Sequence, residues 1–180
     1  FDVDASADDI ASGKALERGD IATGSDDASI RRNPDPMPVL LSRKGNVWGI
    51  PLTLSKAITL SAGSDTVELG YRLEDLPDNF CQHLAIEFNF AGLPAHTTGR
   101  CFRNKDGLEL GHLGTHLDLK ETSHLSLEDN WLNIQATLDC SVASNGGHAG
   151  MWTFPIESVS QSEGGFKLIH QSTVVMPHWI

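Results

Sequence analysis

From Met37 onward, large apolar residues recur at every second position, a period that fits β-strands and little else. In Ile50 to Leu60 the apolar Ile50, Leu52, Leu54, Ile58 and Leu60 take even positions, and Thr53, Ser55 and Thr59 take odd ones. That is the pattern of a long strand with one buried face. The alternation returns at Val67, Leu69, Tyr71 and Leu73 opposite Glu68 and Arg72, and at Leu84, Ile86, Phe88 and Phe90 opposite His83, Glu87 and Asn89. Leu132, Ile134, Ala136 and Leu138 repeat it. Between the first two of these three segments, Leu76-Pro77-Asp78-Asn79 reads as a hairpin turn. Shorter strands are expected at Val39 to Arg43, Thr115 to Leu119, His124 to Leu127, Met151 to Ser158 and Phe166 to Met176. Many closely spaced strands with no long helix between them predict an all-β fold, an antiparallel β-sandwich.

The beginning of the chain is different. Asp far outnumbers Lys and Arg before Met37, and large apolar residues are few, so residues 1–36 read as an acidic linker or partly ordered N-terminal extension. A short helix from Asp8, as its cap, to about Arg18 is compatible with Ile10, Lys14 and Leu16 near one side. Asn33-Pro34-Asp35-Pro36 closes the segment, because each proline pushes its predecessor out of helical geometry. Residues 37–180 are then the sandwich domain.

A formal net charge of −11 repels a phosphate backbone, and no Lys/Arg cluster interleaved with aromatics overrides it, which argues against nucleic acid as a partner. No apolar run reaches eighteen residues and no leader pattern precedes the domain, so no membrane span or secretion signal is read. The chain starts at Phe1 and not at Met, which points to a fragment or a processed chain. Cys81, Cys101 and Cys140 are an odd number at wide spacings and read as reduced thiols, which favours the cytoplasm without settling the location.

The segment Trp152-Thr153-Phe154-Pro155-Ile156-Glu157-Ser158-Val159-Ser160-Gln161-Ser162-Glu163-Gly164-Gly165-Phe166, followed by His170-Gln171-Ser172 and Met176-Pro177-His178-Trp179, carries a resemblance. It is similar to the ending of the C-terminal domain of glycoside hydrolase family 57 α-amylases and 4-α-glucanotransferases, where W-x-x-P-x-x-T-V-S-x-S-E-x-G-F-E precedes Y-Q-G and P-x-W. Leu73 and the Ile86-Glu87-Phe88-Asn89-Phe90 strand resemble that domain's Y-x-L and V-E-x-N segments. Ser158 stands where Thr is usual, Lys167 where Glu is common, and His170 and Ser172 where Tyr and Gly often flank the Gln.

The resemblance implies a β-sandwich of the galactose-mutarotase-like supersandwich type packed on a catalytic (β/α)7 barrel, whose substrate is an α-glucan oligosaccharide or polysaccharide. It also implies that both catalytic carboxylates belong to the barrel, so this chain would hold no catalytic residue, metal or cofactor and would shape or bind the glucan. On that reading Trp152, Glu157, Glu163, Gly164, Gly165, Gln171 and Trp179 are structural or interface residues. An autonomous carbohydrate-binding module is the alternative, and a mutarotase-like epimerase using His83 and Glu87 a further one.

The residues themselves leave several readings open. Continuing the alternation back from Leu132 places Trp131, Asn133 and Gln135 on one polar face, the combination that stacks and hydrogen-bonds a sugar, or that packs at an interface. Glu87 and Asn89 offer a second polar face for sugar. Glycoside cleavage needs two carboxyls about 5 to 9.5 Å apart, and Glu87, Glu157 and Glu163 read instead as loop-ordering groups. Glu163-Gly164-Gly165 suits a rigid corner between strands. Trp48, Trp152 and Trp179 read as core or interface anchors. His112, His116 and Asp118 have the spacing of a metal site only on a helix, and their surroundings read as a turn into a strand. Asn145 to Gly150 is a flexible loop and not a phosphate cradle.

Overall fold

The computed structural model describes residues 1–30, 37–142, 149–162 and 164–180. Its elements are almost entirely strands, in three antiparallel sheets with one short helix, so the all-β expectation holds. The described residues divide into two compact units: Phe1–Leu16 with Cys81–Ile180, and Glu17–Phe80. Asn33-Pro34-Asp35-Pro36 and most of the Asn145 to Gly150 loop lie outside the described residues.

The Glu17–Phe80 unit is a meander of β1 (Asp27–Ile30), β2 (Met37–Val47), β3 (Ile50–Leu60) and β4 (Val67–Glu74) in chain order. The predicted strand over Ile50 to Leu60 is β3, bound for bound. Trp48 and Gly49 turn the chain between β2 and β3 with φ of 55° and 79°, the two positive values that a two-residue hairpin needs to match strand twist. Trp48 is therefore at a hairpin tip and 56% exposed, with the Arg18 guanidinium 4.4 Å from its ring centroid. It is no core anchor.

On one face of this sheet Val47, Leu52 and Leu54 are buried under Ile21, Leu73, Leu76 and Phe80. The covering segment is tied down by Arg43, whose guanidinium donates to the carbonyls of Asp20, Ile21 and Gly24. Gly45 is needed beneath it, because a Cβ there would come within 2.6 Å of the Ile21 side chain.

The other unit holds two sheets. One has the order β11-β10-β7-β8, with β7 Arg100–Arg103, β8 Glu109–His112, β10 His124–Asp129 and β11 Ile134–Asp139. The second has the order β5-β13-β12-β9, with β5 Leu84–Ala85, β9 Leu117–Leu119, β12 Ala149–Ser162 and β13 Gly165–Trp179, and with β6 (Phe88–Ala91) also paired to β13. The Leu84 to Phe90 segment is thus two short strands, not one. Leu76-Pro77-Asp78-Asn79 is not a hairpin turn either: β4 pairs with β3 and β5 with β13.

Alternation along β12 and β13 explains why their buried stretches, Met151–Phe154 and Val174–Pro177, are mainly apolar on both faces. Met151 and Val175 join Phe102, Leu113, Leu125 and Leu127 in one core, while Trp152, Phe154, Val174 and Met176 join Ala7 in a second. A strand buried on both faces needs apolar residues at every position. The two buried threonines are satisfied: Thr153 Oγ1 donates to the Thr115 carbonyl at 2.8 Å, and Thr173 Oγ1 to the Leu113 carbonyl at 3.0 Å.

The second core is closed by helix α1 (Ala7–Ala11), shorter than the Asp8 to Arg18 expected. Ser6, not Asp8, caps it: the Asp9 N–H donates to Ser6 Oγ and the Asp9 carboxylate accepts from the Ser6 N–H, a reciprocal arrangement. These bonds to Ser6 hold the Asp9 carboxyl below its ordinary range.

All three cysteines are free thiols, and burial pushes Cys140 up to about 11. Among the described residues no helix is long and apolar enough to cross a membrane.

Candidate functional site

Trp131 does not lie on a strand. β10 ends at Asp129, β11 starts at Ile134, and Trp131 and Asn133 occupy the turn between them, Asn133 at φ 54°. The alternation through Leu132 stops one step earlier than the apolar spacing suggests, because Asp129 captures the chain. Its Oδ1 accepts from the N–H groups of Trp131 and Leu132, both at 2.9 Å, and its Oδ2 accepts from Arg100 Nε at 2.6 Å. Arg100 is its cross-strand partner on β7. Burial by itself would raise the Asp129 carboxyl, but the Leu132 N–H, the Arg100 guanidinium and the Trp131 N–H outweigh it and keep the group below its ordinary value.

The turn is pinned at a further point where the Asn130 N–H donates to the Gly99 carbonyl. Trp131 stands on this base 79% exposed, with the Arg100 guanidinium carbon 5.6 Å from its ring centroid. Arg100 and Asp129 escaped the sequence reading; the turn-forming Asp129-Asn130 pair before Trp131 was the signal available.

The other candidates disperse. Gln135 is on β11, with its amide donating to Ser126 Oγ and more weakly to Thr137 Oγ1. Glu87 and Asn89 belong to the edge of the second sheet and bond to each other, and Asn89 Oδ1 also accepts from Ser172 Oγ. Glu157 is exposed on β12. Glu163 lies outside the described residues, while Gly164 and Gly165 carry the chain from β12 into β13, Gly165 at φ 108°.

Gln171 is the bulge of that hairpin, the extra residue between the pairs Ile156↔Ser172 and Glu157↔His170, and its amide donates to Ser158 Oγ at 2.8 Å. The bulge divides a buried stretch from an exposed ribbon. Trp152 is buried, and Trp179 is half-buried and paired with Ala149 and Leu84.

His83 turns away from Glu87 and into the protein. Its Nε2 lies 2.7 Å from His178 Nδ1, and the His178 ring stacks on Trp152 at 3.9 Å between centroids. Burial lowers both imidazoles, His178 to about 4. His112 packs its ring against His96, and His116 Nδ1 is 3.4 Å from Asp8 Oδ1. No group of three or more His, Cys, Asp or Glu that could hold a metal occurs among the described residues.

In the Glu17–Phe80 unit, the face of the sheet that is covered at one end is open at the other. Ile30, Leu60, Val67, Leu69 and Tyr71 are all between 38% and 54% exposed there. Register places them together, since Leu60 pairs with Val67, Ile58 with Leu69, and Lys56 with Tyr71. A groove of about 580 Å³ crosses the four strands. Eight of its twelve lining residues belong to the rows Asp27–Ser42–Ser55–Arg72 and Ser29–Leu40–Ala57–Gly70, which face away from the apolar patch.

Three antiparallel sheets, and two cores back to back on the β12–β13 hairpin, define a β-rich domain. The comparisons make the class specific. The model of the alpha-amylase/4-alpha-glucanotransferase C-terminal family matches residues 1–180, and the chain belongs to that family. It is similar over 100% of its length to the crystal structure of 4-alpha-glucanotransferase from Thermococcus litoralis, with a TM-score of 0.71 and 19% identity. It spans 24% of that chain. A search of curated proteins returns no match.

Proposed function

We propose that the chain is the non-catalytic C-terminal domain of an α-glucan-active glycoside hydrolase or glucanotransferase, a β-sandwich of supersandwich type that packs on the catalytic (β/α)7 barrel and shapes or binds the glucan. The observation that carries this reading is the half-covered sheet face of the Glu17–Phe80 unit. At one end Val47, Leu52 and Leu54 are sealed by the chain's own segments; at the other, Leu60, Val67, Leu69 and Tyr71 are open. A contiguous apolar area of this kind on a folded unit marks a contact surface. A catalytic barrel is the partner that the family supplies.

The test is to mix the chain with the separately produced catalytic portion of its parent enzyme and measure association by analytical ultracentrifugation. Leu69→Asp puts a charge in the middle of the open area and is expected to weaken association at least about tenfold. The chain's own stability should shift by less than about 0.5 kcal/mol, because the side chain is already partly in water. Association that ignores Leu69→Asp would remove this face from the interface.

A further inference from the structure

We propose that Trp131 is a stacking platform for a pyranose ring of an α-glucan. The proposal rests on the reading of the chain as part of an α-glucan-active enzyme, and it adds the place and chemistry of the contact. An aromatic ring that is 79% exposed contributes nothing to either core, yet the turn beneath it is built from buried charge. Asp129 and Arg100 are 1% and 8% exposed, and the Asp129 carboxylate fixes the two successive N–H groups of Trp131 and Leu132. A buried ion pair is an expensive way to hold a turn. What it achieves here is a backbone fixed beneath the indole before any ligand arrives, so that binding need not order the turn.

The residue types next to Trp131 in the sequence suit a sugar. Asn130, Asn133 and Gln135 are exposed beside Trp131 in the sequence, and Leu132 and Ile134 are exposed among them. The apolar face of a pyranose stacks on a ring, and its rim of hydroxyls meets amide donors and acceptors. The two exposed tryptophans also differ. Arg18 lies 4.4 Å from the Trp48 centroid, while Arg100 stays 5.6 Å from that of Trp131 and leaves most of the ring in solvent.

Titration of the 180-residue chain with maltoheptaose, followed by calorimetry and tryptophan fluorescence, tests this. Binding is expected at millimolar sugar, weakened at least about tenfold by Trp131→Ala and no more than about threefold by Trp131→Phe, which keeps an aromatic face. Trp48→Ala should leave the affinity unchanged, and near-UV circular dichroism should show Trp131→Ala folded as the parent chain is. Absence of binding, or equal affinity in Trp131→Ala, overturns the proposal. Equal binding of cellohexaose overturns the assignment to an α-glucan. Should Trp131→Ala instead weaken association with the catalytic portion while maltoheptaose fails to bind, the residue is a protein contact, and the packing role survives without it.

Discussion

Phe102→Ala is expected to lower the thermal midpoint of the chain sharply. Phe102 is fully buried at the centre of the core that joins the two sheets of its unit. It lies directly across the ladder from Leu127 and in the same cluster as Met151 and Val175 of the second sheet. Truncating a buried phenylalanine costs about 3–5 kcal/mol in lost transfer energy and residual cavity. At about 2–4 °C per kcal/mol for a chain of this size, the midpoint should fall by roughly 6–20 °C. Differential scanning calorimetry measures it. A loss under about 1 kcal/mol would mean that the two sheets do not share this core.

The same calorimetric trace bears on the two units. Val47, Leu52 and Leu54 form a core of their own in Glu17–Phe80. If that unit unfolds separately, Phe102→Ala should shift one transition and leave a second in place; a single shifted transition would mean that both cores melt together. Hydrogen exchange along Ile50–Leu60, compared between parent and variant, assigns the transitions.

Strands with one buried face were legible because their side chains report burial at every second residue, and β3 is the clearest case. β7 was not legible. Arg100–Arg103 is four residues long and buried across Arg100, Cys101 and Phe102, so it has neither the length nor the alternation that marks a strand. Pairing was harder still, since Leu76-Pro77-Asp78-Asn79 has hairpin chemistry but joins strands of two different sheets, which only long-range contacts decide.

Trp152 and Trp179, in the segment whose sequence resembles the ending of the family, sit on the β12–β13 hairpin. Trp131 was singled out for the wrong local reason. Its prominence comes from a turn held by Asp129 and Arg100, twenty-nine residues apart in the chain, and no periodicity reports a contact of that kind.

Between about pH 6.5 and pH 4 the chain is expected to lose stability through its buried histidine pair. In the folded state one imidazole of the His83–His178 hydrogen bond donates and the other accepts, which both rings can do while neutral. Burial lowers His178 to about 4, with His83 adding to it and Asp118 opposing. Burial, together with the N-terminal ammonium group, lowers His83 as well. Unfolded, both titrate near 6.5. Below that value the unfolded chain takes up protons that the folded one refuses, so the stabilisation is complete above about pH 6.5 and is lost as pH falls through the folded values. For His178 the loss is about 3 kcal/mol at most. The lowered carboxylates Asp9 and Asp129 do not blur this window, because theirs is lost only below the ordinary carboxylate range, near 4. His178→Phe keeps a ring against Trp152 and removes the titrating group. Urea unfolding at a series of pH values should therefore give a flatter profile between 6.5 and 4 in the variant than in the parent. Parallel profiles would show that the pair takes up protons without opening the fold, and that water reaches it.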